Sequence, residues 1–334
     1  MARTPTPSQI AAFEALLAKA DAEVRDAFLA AVYSARSRVD LGALVAMIEA
    51  GNIEGAIALL RVDQGLLWPL EEVLRRTYLA GGVLVEQFAP RGIVGGFGFN
   101  ARHTRAEADI ARIGGDLIQQ IEREQAEAVR AVILDGMENN RGSRSVALEV
   151  TGRMNKATGQ RTGGIIGLTG DQADWVIKAR RNLEQLDRSY LQRKLRDKRF
   201  DGMVRKAIEA GKPLAARDVD RIVGRYKDRW LAYRGQLIAR NEAHTAQSAG
   251  RHEAYRQMLD RPDIEAVTCK WIHGFSRDAR PDHKRMDGEV RNFGEGFVMD
   301  DGTVMQYPHD PAGGVRHSAS CRCTAFYRAI PRRS

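Results

Sequence analysis

The chain has 334 residues, a formal net charge of +9, 43% hydrophobic and 28% charged residues. That is long enough for two or three domains with ordinary cores, and the composition is that of an ordinary globular protein. Three cysteines exclude a secreted disulfide framework and suit a reducing cytoplasm. Apolar runs such as Ala43–Ile48 are too short to span a bilayer, and MARTPTPSQI lacks the apolar stretch of a signal peptide.

Helical spacing starts early. Ile10, Phe13, Leu16, Leu17 and Ala20 share one face, followed by Val24, Phe28 and Val32. After a break at Asp40–Gly42, Gly51 and Asn52 divide two short helices, with a C-cap expected there. Leu66 to Phe88 forms a third amphipathic segment, and the glycine-rich APRGIVGGFGFNARH then reads as a loop. TRAE at Thr104 predicts a capping box with Glu107 and a helix to about Met137. TGDQ at Thr169 predicts a second box. Between them, ATGQRTGGIIG has glycines but neither a following Lys-Ser/Thr pair nor a parallel sheet, so it reads as a connector.

Positive charge is concentrated between Val176 and Arg240, where about nineteen Lys or Arg face about eight Asp or Glu. Such runs are usually solvated helix faces. A stripe that meets a polyanion through phosphates, without sequence preference, is the sharper reading, with Arg193, Lys194 and Arg196 as candidate nucleic-acid contacts. In the same region Ile222, Tyr226, Trp230, Tyr233 and Leu237 trace one stripe of a long helix. The stripe turns polar at Asn241, His244 and Ser248, then resumes at Tyr255 and Leu259. A polar seam of this kind suits an internal network or a lining against another chain.

Beyond Arg261-Pro262 the pattern alternates. IEAVTCKWIHGF puts Val267, Cys269, Trp271 and His273 on one side of a strand, and turns follow in short order. The expected fold class is mainly α: a long-helix body with a small α+β C-terminal domain. The organisation divides into an N-terminal helical region at 1–100, a basic helical body at 101–262 and the α+β unit at 263–334. That last unit is small enough to benefit from a metal or from docking onto the long helix.

Its residue types point the same way. His273, Asp278, Asp282, His283, His309, His317, Cys321 and Cys323 all fall within it, the last two inside HSASCRC. Thiolate and imidazole are zinc donors, and His283, Cys321 and Cys323, with His273 or His317 in fourth place, form the candidate site. A C-x-C spacing is less diagnostic than C-x-x-C, because strand geometry holds the two α-carbons about 6–7 Å apart. Buried thiols beside hydrogen-bonded histidines are the plain alternative. Asp282-His283 in a metal-dependent hydrolase or nuclease, or a Cys-His nucleophile, are catalytic alternatives. Cys269, facing inward, reads as an inert core thiol.

KWIHGFSRDARPDHKRMDG, then YPHDP, then SASCRC resembles the C-terminal signature of the phage Mu F-like minor head proteins, also called head morphogenesis proteins. The Asp-x-Arg-x-x-His-x-x-x-x-Gly core matches at Asp278, Arg280, His283 and Gly288, and the closing motif at Cys321-Arg322-Cys323. LIARNEAHTAQSAGRHEAY is similar to the family's Ile-Ala-Arg-Thr-Glu helix. Ser320 stands where the family usually has Asn, and Asn241 where it usually has Thr. The likeness covers about 234 to 325. It implies a non-enzymatic virion protein of a tailed phage or prophage, present in the host cytoplasm during assembly. The implied partners are the portal protein, the major capsid or scaffolding protein, and packaged DNA, with no membrane. It also casts Asp278, Arg280 and Gly288 as structural residues. From their charges, Arg280 and Asp278 are expected to form an ion pair closing the turn before Pro281.

Overall fold

The computed structural model describes residues 7–61, 64–90, 93–274 and 279–332. The protein is mainly α with a small α+β C-terminal part. In chain order the helices are α1 (Pro7–Arg38), α2 (Leu41–Glu49), α3 (Ile53–Leu59), α4 (Gln64–Glu86), α5 (Thr104–Glu138) and α6 (Ser143–Thr151). They continue with α7 (Gly170–Glu184), α8 (Asp201–Ala210), α9 (Ala216–Leu259), α10 (Pro281–Arg285) and α11 (Gly314–Ser318). The strands are β1 (Arg153–Met154), β2 (Arg161–Thr162), β3 (Ile264–Ile272), β4 (Val290–Asn292), β5 (Phe297–Val298), β6 (Val304–Met305) and β7 (Thr324–Pro331).

Local chemistry sets several helix ends. Asp40 Oδ1 accepts from the N–H groups of Gly42 and Ala43 at the start of α2. Gly51, at φ +67°, ends that helix in the left-handed region, and Asn52 then caps α3 by accepting from Gly55 N–H. Thr169 and Gln172 close a full capping box on α7. The box expected at Thr104 is displaced by one residue. Thr104 is already helical, and the His103 ring Nδ1 accepts from Arg105 N–H at 3.2 Å, an imidazole lone pair replacing the hydroxyl.

Contacts group the chain into two compact units. One comprises Met1–Asp26, Leu70–Asp116 and Gln236–Ser334; the other comprises Ala27–Pro69 and Leu117–Gly235. All four boundaries fall inside helices α1, α4, α5 and α9. Two lie at residues that weaken a helix, Pro69 and Gly235.

The Ala27–Pro69/Leu117–Gly235 unit has an apolar core that includes Phe28, Leu44, Ile121, Val132, Ile166 and Ile222. The fully buried Arg36 donates to the carbonyls of Gly164 and Ile166, each at 2.8 Å. Gly163 N–H donates to Asp228 Oδ1 at 2.7 Å. The glycine-rich segment is thus a connector, with a carboxylate already on the N–H that a phosphate would need.

In the other unit, α4 and α9 cross at glycines. A Cβ on Gly250 would lie 1.9 Å from the Tyr78 carbonyl oxygen, and one on Gly81 would lie 2.5 Å from that of Gln247. Only glycine permits that approach. The C-terminal sheet runs antiparallel in the order β4-β3-β7, with Trp271 opposite Ala325 and Ile272 opposite Thr324. Val267, Cys269 and Trp271 are buried on the face that the alternation marks, and β5 and β6 form a separate hairpin.

Candidate functional site

The polar seam of α9 holds the C-terminal segments of its own unit. Asn241 Oδ1 accepts from Ser320 N–H at 2.9 Å. The rings of His244 and His309 lie 4.7 Å apart. Arg251 Nη2 donates to Thr324 Oγ1 at 2.9 Å, and its guanidinium sits 4.4 Å from the centre of the Phe13 ring. His252 Nδ1 lies 2.9 Å from the Tyr327 hydroxyl. Burial and the charge of Arg251 keep the seam imidazoles neutral: His244 is pushed down to about 4, with Arg240 and Arg322 adding to Arg251. His252 is pushed down to about 3, with Arg256 adding.

This seam, the end of β3 and helix α10 enclose one cluster of donor atoms. The ladder ends where Ile272 pairs with Thr324, so His273 leaves β3 and Cys323 enters β7 at the same end of the sheet. Pro281 opens α10 with the φ it already prefers. Gly288, at φ +84°, then turns the chain back, and its N–H donates to the Trp271 carbonyl at 2.9 Å. That return places His283 edge-on to Trp271, with ring centres 5.3 Å apart, and leaves it 1% exposed.

His283 bridges two sets of partners. Its Nδ1 lies 3.4 Å from Cys321 Sγ and 3.6 Å from Cys323 Sγ. Its Nε2 lies 3.4 Å from His317 Nδ1. His317 Nε2 in turn lies 3.1 Å from Asp301 Oδ2, while its Nδ1 is 3.6 Å from Asp282 Oδ2. The Thr303 backbone N–H, joined by His317, holds the Asp301 carboxyl well below the usual carboxylate range. Cys323 N–H donates to Cys321 Sγ at 3.3 Å.

All three cysteines are free thiols. Cys321 and Cys323 share a hydrogen bond that, with burial, drives the Cys321 thiol up. The same bond, helped by His283 and the Gly274 backbone, brings Cys323 down to about 4. Cys269 differs: burial pushes it up to about 12, as suits an inert core thiol.

His273, His283, Cys321 and Cys323 line a cavity of about 540 Å³, together with Arg240, Arg280 and Arg322. The three guanidinium groups make that space positive and hospitable to anionic groups. Within it, His283, Cys321 and Cys323 have donor atoms all within 4.8 Å of one another; behind the wall, so do Asp282, His283 and His317. Those are the tight donor groups among the described residues. His273 stands on the cavity wall, its backbone N–H held by Asp287 Oδ1 at 2.9 Å.

The remaining sequence candidates are placed as follows. Arg280 donates to the Ala319 carbonyl at 2.8 Å, tying the start of α10 to the loop before Cys321. Asp278, its expected ion-pair partner, lies outside the described residues. Arg193 is held by Asn182 Oδ1 and the Trp175 carbonyl, and Arg196 by Asp201 and the Arg193 carbonyl. Lys194 is exposed. Three contributors to the cavity escape a reading by residue type: Arg240, Arg322 and Gly274. Arg240 and Arg322 sit inside the quoted motifs, LIARNEAH and CRC, which was the available signal. At Gly274 a Cβ would lie 2.3 Å from the Arg322 carbonyl oxygen, a closeness that no local pattern announces.

Among the described residues no helix is long and apolar enough to cross a membrane. No curated protein and no solved structure matches the chain. A family model, that of the phage Mu protein F like protein, matches residues 168–326, from the cap of α7 into β7. The matched span takes in the α9 seam, the cavity and both C-terminal cysteines. Over residues 168–326, therefore, the chain is similar to the phage Mu protein F like family.

Proposed function

We propose that the protein is a minor head protein of a tailed phage or prophage, acting in head morphogenesis through surface contacts. The observation that carries this reading is the family match over residues 168–326, which spans the α9 seam and the whole C-terminal donor cluster. Its burial supports a shape-holding role: His283, Cys321 and Cys323 are each at most 4% exposed. In this reading the partners are the portal protein and the major capsid or scaffolding protein, and the protein resides in the virion after passing through the host cytoplasm.

Packaged DNA is a further partner, reached through phosphates. Because Arg193 and Arg196 are engaged internally, that contact falls mainly to exposed cations of the same stretch, such as Lys194, Lys198 and Lys206.

The test is to delete the gene in the phage or prophage that encodes it. Particles from the intact strain are expected to contain the protein in a few copies, recoverable with portal protein. The deletion strain is expected to make defective heads. Normal yields of infectious particles from the deletion strain would overturn the proposal. Divalent-ion-dependent DNA cleavage that disappears in His283→Ala would replace it with a nuclease.

A further inference from the structure

We propose that His283 Nδ1, Cys321 Sγ and Cys323 Sγ bind one zinc ion, with His273 completing a tetrahedral site. The inference goes beyond head assembly and stands independently of it.

The distances carry the argument. Tetrahedral zinc with bonds of about 2.3 Å to sulfur and about 2.1 Å to nitrogen separates those two ligands by roughly 3.6 Å. Nδ1 of His283 stands 3.4 and 3.6 Å from the two sulfurs. A hydrogen bond from one ring N–H accounts for a single such contact, whereas one ion on the imidazole lone pair accounts for both. Of the eleven residues lining the cavity, only His273, His283, Cys321 and Cys323 carry imidazole or thiol donors. His273 is the remaining imidazole or thiol on the wall; it stands outside the group whose donor atoms lie within 4.8 Å of one another, so its ring must swing inward to complete the site. His317 is excluded from the first sphere because it meets His283 through Nε2, the ring nitrogen that points away from the sulfurs.

The surroundings fit as well. The Cys323 N–H already donates to Cys321 Sγ, as backbone groups do for metal-bound thiolates. His317 and Asp301 extend behind His283 as a histidine–carboxylate relay, which fixes the ring and raises the basicity of the ligating nitrogen. Two sulfurs and imidazole nitrogen are soft and borderline donors, which select zinc over magnesium or calcium. Binding displaces the protons that the thiols carry, and it staples α10 to the strand entry of β7, thirty-eight residues away in sequence.

Elemental analysis of the purified full-length protein, equilibrated with zinc and then desalted, should give one zinc per chain. A value near zero overturns the proposal. The Cys321→Ser/Cys323→Ser double variant should lose the metal and Cys269→Ser should keep it; zinc retained by the double variant is equally fatal. Cobalt(II) loaded into the wild-type protein separates metal loss from misfolding. Thiolate-to-cobalt charge-transfer bands of two-sulfur intensity with tetrahedral ligand-field bands are expected, and their absence refutes the site. In competition with a chromophoric chelator, His317→Ala should bind zinc ten- to a hundredfold more weakly. His273→Ala should weaken binding while keeping both sulfur bands. Unchanged affinity in either variant removes that residue from the assignment.

Discussion

Each compact unit buries a polar cluster of its own, one around Glu149 and one around His283, and the two are built in opposite ways. Around Glu149, in the Ala27–Pro69/Leu117–Gly235 unit, charges answer charges. Lys227 Nζ lies 3.1 Å from its carboxylate and Arg180 Nε 3.4 Å, while Arg141 pairs with Glu149 and Asp135 together. Burial pushes the Glu149 carboxyl up, but the three cations together win and hold it at about 2. Lys227, desolvated and facing Arg180, is pushed down to about 8. Around His283, in the other unit, the groups are imidazoles and thiols that share protons instead of pairing full charges. In the first cluster cations surround a carboxylate, and Lys227 also donates to the Glu149 carbonyl; the second offers lone pairs converging on one point. Burial of polar groups alone therefore says little about function, and the chemical character of the cluster says much more.

The largest expected effect breaks the first cluster. Glu149→Ala leaves Lys227 buried without its carboxylate and should destabilise its unit by about 3–5 kcal/mol in denaturant unfolding. Glu149→Met with Lys227→Met should recover most of that loss, because a buried pair barely exceeds its desolvation cost. If both variants were equally damaged, the network would be holding more than its own charges.

Acid should separate the units. Glu149 binds its proton later in the fold, at about 2, than in the unfolded chain, where its ordinary value is 4.5. Its contribution, about 3 kcal/mol, is present above pH 4.5 and is lost as pH falls toward 2. His244 and His252 stay neutral in the fold while the unfolded chain protonates near its ordinary value of 6.5. Stability of the unit that holds them should therefore fall as pH drops from 6.5 toward 4 and 3. Hydrogen exchange followed against pH is expected to loosen amides near α9 residues 244–252 before those of α6. Glu149→Gln should flatten only the lower window.

Zinc sharpens the comparison further. At a hundredfold excess over its dissociation constant, a ligand that binds only the folded state adds about 2.7 kcal/mol. Added zinc should protect amides of α10 and of the segment around Cys321–Cys323, leaving α6 and α7 unchanged; a strong chelator should reverse that protection. Uniform protection across both units would point to nonspecific binding.

Much of this was legible in the chain, for reasons that differ by element. Strand β3 could be read because Val267, Cys269 and Trp271 alternate toward a core, and α7 because Thr169 and Gln172 satisfy each other locally. The α9 seam could be seen to turn polar at Asn241. Its targets, Ser320, His309, Thr324 and Tyr327, lie more than sixty residues away and leave no mark on the local pattern. Likewise Thr104 was the better residue type for a cap, yet His103 took the role because its ring nitrogen reached Arg105 N–H. Converging donors were foreseeable from residue types alone. Which face of His283 meets sulfur and which meets His317 depends on the turn at Gly288, a matter of backbone geometry that spacing does not encode.

The smallest effect probes the loop that delivers Cys321. Ser320 sits at φ +55°, in the left-handed region that side chains with a Cβ enter at a cost of roughly 1–2 kcal/mol. Glycine escapes that cost but adds freedom to the unfolded chain, so Ser320→Gly should stabilise by a net of roughly 0.5–1 kcal/mol. Asparagine tolerates the same backbone and should stabilise by a smaller margin, which gives a physical reason for its place in the family's closing motif. The backbone N–H of residue 320 still reaches Asn241 Oδ1 in either variant, so the seam contact survives and the change reports backbone strain alone. A loss of stability in both variants would mean that the serine hydroxyl is holding the loop, and that the approach to Cys321 depends on a side chain at this position.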